Sequence, residues 1–97
     1  MKTKKFEGKN NTHKVFLYTL STCMWCNYTK RLLRKHDIEH EYVDVDWTSE
    51  KDKKEIQEDI DNRGISLSFP LIIIDDKIVI TGFKKDKILE ALEIGDT

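Results

Sequence analysis

A strand-like run that passes straight into a helix-like run, and then into a second strand-like run, restricts this chain to few folds. Val15–Leu20, VFLYTL, is short, β-branched and aromatic, and suits a buried strand. Ser21 and Thr22 follow as helix-start residues. From Met24 to about His36 the spacing is helical, with Leu32 and Leu33 inward and Lys30, Arg31, Arg34 and Lys35 outward. His40–Asp46, HEYVDVD, then alternates polar and apolar, with Val43 and Val45 at strand positions. Strand, helix, strand implies a parallel pair. A second helix opens at Thr48 or Ser49 and stops at Gly64, with only Ile56 and Ile60 to pack by one edge. FPLIII, DDK and IVIT read as strand, tight turn and strand, a hairpin that adds an antiparallel edge to the same sheet. The tail KKDKILEALEIG sets Ile88, Leu89, Leu92 and Ile94 on one helical face. The expected class is α/β, in the order β-α-β-α-β-β-α, with a four-stranded mixed sheet flanked by helices.

Ninety-seven residues make one domain with a modest core. Residues 1–13 are polar, carry Gly8 and the Asn10–Asn11 pair, and read as a flexible N-terminal arm to a domain over 14–97. Lysine plus arginine (17) balances aspartate plus glutamate (18), so no net field favours nucleic acid or an anionic membrane. The longest apolar stretch, FPLIII, is far short of a membrane span, and the basic start lacks the apolar segment of a secretory signal. Trp47 is expected to cap a loop by hydrophobic contact. With two cysteines the chain has no disulfide scaffold of the secreted kind, which points to the cytoplasm.

Those two cysteines, in STCMWCNYTK, are the chemistry-bearing feature. Cys23 falls between the first strand and its helix, and Cys26 lies three residues on. Residues i and i+3 of a first helical turn are about 5–6 Å apart, inside the roughly 4.4–6.8 Å window that a disulfide needs. First-turn amides lack internal partners and carry the positive end of the helix dipole, so a thiol there gives up its proton more readily. Cys23 is then the attacking thiol, and Cys26, with Thr29 and Leu33 on its face, the resolving one. Two other readings stay open. The pair could be half of a zinc site, completed by His36 and His40, the only histidines with workable spacing. It could also be a pair of structural thiols.

C-x-x-C after a first strand, a lone proline before a later strand, and a hairpin ending in Gly-Phe resemble the glutaredoxin branch of the thioredoxin fold. The resemblance runs from Lys14 to Leu92 and rests on YTLSTCMWC, SFPLIIIDDKIVITGF and the element order between them. It implies that Pro70 is cis and faces the cysteines, and that the Phe69 backbone pairs with an extended substrate. The residues alone also allow Pro70 simply to begin an edge strand. The resemblance further implies that amides near Gly82 and Phe83 hold the carboxylate of a bound thiol peptide. By the same likeness Asp86 contacts that ligand's amino group and Arg63 pairs with a glutathione carboxylate. Solvated charges are the alternative for Asp86 and Arg63. The chain departs from the family pattern at four places. Met24 replaces a proline that would stiffen the first turn, and Trp25 replaces a tyrosine and offers a flat surface beside the thiols. Leu20 replaces a lysine, and Phe69 replaces a valine. The first and third bear on glutathione specifically and leave the disulfide chemistry intact.

The expected activity is thiol–disulfide exchange on protein or small-molecule disulfides through a Cys23/Cys26 cycle. No bound cofactor or metal is expected, and a low-molecular-weight thiol, glutathione or another such as coenzyme M, recharges the pair. The protein is expected to be a monomer. One alternative is a redoxin electron carrier reduced by thioredoxin reductase, and another is a metal or iron–sulfur carrier using Cys23.

Overall fold

A computed structural model describes residues 1–95; positions 96 and 97, the end of the expected domain, lie outside the described residues. The strands are β1 (Lys4–Phe6), β2 (Val15–Thr19), β3 (His40–Asp44), β4 (Leu71–Ile74) and β5 (Ile78–Thr81). The helices are α1 (Met24–Lys35), α2 (Glu50–Asn62) and α3 (Lys85–Ala91), and a 3-10 turn spans Val45–Trp47. One sheet holds the strands in the order β1-β3-β2-β4-β5, with β2 and β3 parallel and the other neighbours antiparallel. This is the mixed α/β sheet flanked by helices that the element order implies.

Strand alternation sorts the core into two layers. Val15, Leu17, Ile72, Ile74 and Ile80 point to the face covered by Leu32 and Leu33 of α1 and Ile88 and Leu89 of α3. Tyr18, Val43, Leu71 and Ile73 point the other way, onto Ile56 and Ile60 of α2. Each such buried aliphatic chain contributes about 1.5–3 kcal/mol. Covering both faces explains why β4 is apolar and buried at every position, while β5, at the edge, is fully buried only at Ile80. Ser49 caps α2 by accepting from the Asp52 amide, and Gly64, at φ +67°, ends it.

Several expectations are corrected. The sheet has five strands rather than four, because the segment read as an arm supplies β1. Three residues, KKF, carry no alternation to announce a strand; long-range contacts hold them there. Phe6 stacks on His40 at 5.3 Å. Asn10 brackets the bend after α1 by donating its amide to the Asp37 carbonyl and accepting from the Glu39 amide. Gly8 passes so close to the Asp37 and Glu39 backbone that a Cβ would collide with it. Second, the residue that caps α1 is Cys23 itself, not Ser21 or Thr22. Third, Lys30 is buried at 7% exposure rather than solvated with Arg31, Arg34 and Lys35, and Trp47, at 79%, covers no core. Among the described residues no helix is long and apolar enough to cross a membrane.

Candidate active site

The two thiols sit where β2 delivers the chain to α1. Cys23 has extended backbone (φ −83°, ψ 114°) and its sulfur accepts the Cys26 amide at 3.2 Å, so a cysteine takes the place that serine or aspartate fills at most helix starts. Its own amide donates to the Leu20 carbonyl at 3.1 Å, closing the turn. Cys23 is partly exposed and Cys26 is fully buried; both are free thiols. Burial, with the contact to Cys23 next in weight, pushes the Cys26 thiol up to about 12, against a smaller opposing pull from the Leu20 backbone and the Lys30 charge. One sulfur is thus accessible and held by a helix amide. The other is dry, and stays protonated until something brings it into reaction.

The loop carrying Cys23 is pinned from below. Ser21 donates its amide to Asp46 at 2.9 Å and its hydroxyl to the same carboxylate, tying the loop to the 3-10 turn after β3. These hydrogen bonds hold the Asp46 carboxyl below its ordinary value. A carboxyl depressed by folding stabilises above its unfolded pKa, and that contribution is lost as pH falls through the lower folded value. Following the Asp46 carboxyl carbon by NMR through an acid titration checks this. Ser21→Ala is expected to move the midpoint upward, toward that of a free aspartate.

The remaining site residues fall into a connected set and two outliers. The Phe69–Pro70 peptide is cis, and the Pro70 carbonyl accepts the Gly82 amide at 2.8 Å. Gly82 sits at φ +81°, a conformation other residues resist. With its own amide engaged, a carboxylate at this turn would fall to the amides of Phe83 and Lys84, which have no backbone acceptor among the described residues. Phe69 keeps both its backbone groups unpaired by other backbone among those residues. Phe83 stacks on Trp25 at 5.7 Å, which joins this turn to the first turn of α1. Tyr28 completes the surface, 5.5 Å from Trp25 and 6.3 Å from Phe83. Trp25, 56% exposed, and Tyr28 are exposed and Phe83 is half-buried, so the three rings form an aromatic platform near Cys23, with Met24 exposed next to Trp25 in the chain. Tyr28 escaped the sequence reading although it lies three residues after Trp25, a spacing that puts both on one helix face.

Arg63 is the first outlier and a correction. Its guanidinium is committed to Asp59 at 3.1 Å and to Asp76 at 2.6 Å, in the turn between β4 and β5. Pro70 stands at the other end of β4, four strand residues or about 13 Å away. The side chain braces the hairpin against α2 at the end of the sheet opposite the thiols. Asp86 is exposed in the first turn of α3, three residues beyond Phe83, with no partner among the described residues. The histidines proposed to complete a metal site are not brought to the cysteines either. His36 caps the far end of α1, about 18 Å from its start, and His40 is buried beside Phe6 with Nδ1 on the Ile38 carbonyl. Among the described residues no three His, Cys, Asp or Glu side chains are grouped to hold a metal.

The glutaredoxin family model matches residues 15–79, which takes in the strand, both cysteines, α2, Pro70 and the hairpin turn. The glutaredoxin of Methanosarcina mazei Go1 is 37% identical over 95% of this chain and 88% of its own, with a TM-score of 0.79. Methanoredoxin of Methanosarcina acetivorans is 38% identical over 92% of this chain and 94% of its own, with a TM-score of 0.80. The glutaredoxin of Archaeoglobus fulgidus shares 26% over 81% and 85%, with a TM-score of 0.73. No curated protein matches significantly.

Proposed function

The chain belongs to the glutaredoxin family of thiol–disulfide oxidoreductases, and from that premise we propose that it reduces protein or small-molecule disulfides through Cys23 and Cys26 and is recharged by a small thiol. The observation that carries this reading is the asymmetry of the pair, an exposed sulfur at the helix cap and a buried thiol behind it. Cys23 attacks one sulfur of the substrate, the other leaves as a thiolate, and a mixed disulfide remains on Cys23. Cys26 then attacks Cys23, the second substrate thiol departs, and the protein is left with an internal disulfide. The free Phe69 backbone receives the substrate as a short added strand, and Trp25 and Phe83 face it beside the reacting sulfurs. The protein acts as a monomer in the cytoplasm.

The recharging thiol is one smaller than glutathione. Arg63, the expected partner of a glutathione carboxylate, is occupied by two aspartates at the other end of the sheet, and Leu20 stands where the family carries a lysine. A compact thiol with a single anionic group, such as coenzyme M, asks only for the amides of Phe83 and Lys84 at the turn after Gly82 and the Phe69 backbone. The exposed rings of Trp25 and Tyr28, with Phe83 stacked on Trp25, favour one second reading, recharging by thioredoxin reductase, since aromatic side chains are enriched at protein interfaces. The two separate in a recharging assay that compares glutathione, coenzyme M, and NADPH with thioredoxin reductase. The first reading expects coenzyme M to regenerate the dithiol fastest, and Trp25→Ala to leave that rate within about twofold. Reduction by the flavoenzyme alone, lost on Trp25→Ala, establishes the second instead.

A further inference from the structure

Beneath the first turn of α1 lies a charged cluster that the exchange reaction, as written above, leaves unused. Lys30 is the one buried lysine among the described residues. Its ammonium sits 3.2 Å from Asp44 Oδ1 and 4.0 Å from the centre of the Tyr42 ring. The same Asp44 oxygen accepts the Thr19 hydroxyl at 2.6 Å. Thr19 and Asp44 are the last residues of β2 and β3, so the cluster is at the end of the sheet where the cysteines sit. A lysine on this otherwise basic helix would lose nothing by reaching solvent, and enclosing its charge is costly unless it is compensated.

Position along α1 says what the charge faces. Lys30 follows Cys26 by four residues, which makes the two neighbours on one helix face. Helical side chains lean toward the N-terminus, so Lys30 extends back over the turn that carries Cys26. Cys26 is fully buried, so no water reaches it to stabilise a thiolate, yet it must carry negative charge while it attacks Cys23. The other titratable groups around the pair are Cys23 on the same helix, Asp44 and Tyr42 on β3, and Asp46 and His40, at both of which the Lys30 charge is felt.

We propose that Lys30, held in place by Asp44, is a positioning residue for the resolving step, whose buried positive charge stabilises Cys26 as a thiolate when it attacks the mixed disulfide. The inference rests on the dithiol cycle proposed above. In the step itself the Cys26 thiol loses its proton, which is balanced by the proton the leaving sulfur gains, and the Cys26 sulfur bonds to Cys23. The Cys23–substrate bond breaks, and the leaving sulfur takes the electron pair and then a proton. In this step the Cys26 sulfur is oxidised and the leaving substrate sulfur is reduced to a thiol; over the whole cycle the two cysteines lose two electrons and the two substrate sulfurs gain them.

The test is a quenched single-turnover reaction of the reduced protein with a small symmetrical disulfide. Intact mass reports formation and decay of the Cys23 adduct across a range of pH. Lys30→Met is expected to leave formation within about twofold, to slow decay by about tenfold or more, and to shift the decay profile to higher pH by about one unit. Lys30→Arg, which keeps the charge, is expected to restore most of the rate. Equal slowing of both phases with an unmoved pH profile would make Lys30 a structural brace and overturn the proposal, as would an unchanged decay. Should Lys30→Met not fold, the Lys30→Gln variant is read the same way. If the wild-type protein forms no adduct on Cys23 at all, the dithiol cycle fails rather than the role of Lys30.

Discussion

Replacing Cys23 by serine is expected to reduce disulfide-reductase activity by on the order of 10⁴-fold or more, measured as turnover of a small disulfide in the presence of excess thiol. The expectation follows from the geometry of α1. Cys23 is the cap residue, its sulfur receives the Cys26 amide, and it is the member of the pair that solvent can reach. A serine hydroxyl can accept the same amide, so the helix start and the fold survive the change. What is lost is the thiolate, which no group at ordinary pH replaces. Activity retained in this variant would move the nucleophile to Cys26, which burial makes a poor attacker.

Cys26→Ser is expected to do the opposite, stopping the reaction after its first half. Cys23 still attacks, but the side chain behind it can no longer open the mixed disulfide. The adduct then decays at least about 10²-fold more slowly than in the wild-type protein while no other thiol is present, because an intramolecular attack has been replaced by none. Mass spectrometry of the reacted variant should find the substrate moiety on Cys23, and adding a small thiol should release it. A variant that still cleared its adduct unaided would show that Cys26 is not the resolving group.

Much of this was legible in the chain because its strongest signals are local. The run VFLYTL, the helical spacing after it and the FPLIII hairpin each follow from short-range pattern, and they place Cys23 at a strand-to-helix junction without further information. The missed features are those decided by contacts between distant residues. Nothing in KKF distinguishes β1 from an arm; Phe6 meets His40 only once β3 exists, and Gly8 is needed only where the chain passes the bend at Asp37. Arg63 reads as a solvated or ligand-binding charge until the hairpin turn brings Asp76 beside it. Ser21 looks like a helix cap because its partner, Asp46, is twenty-five residues away.

Lys30 is a different kind of miss. Grouping it with Arg31, Arg34 and Lys35 followed the charge and ignored the helical period. Four residues after Cys26 and three before Leu33, it lies on the inward stripe, and the apolar positions already marked that stripe. A buried cation one turn behind a buried thiol was therefore available from spacing alone. The aromatic platform divides likewise, since Trp25 and Tyr28 are paired by helical spacing, whereas Phe83 joins them only through the fold.

The division of labour between the two thiols is tested most directly by reacting the reduced protein with one equivalent of a small disulfide and mapping the products over time. The account predicts an early adduct on Cys23 alone. It is followed by a chain lighter by two hydrogens whose single disulfide joins Cys23 to Cys26, with two substrate thiols released for each chain converted. A first adduct on Cys26, or a Cys23 adduct that accumulates and never closes to the internal disulfide, would contradict it.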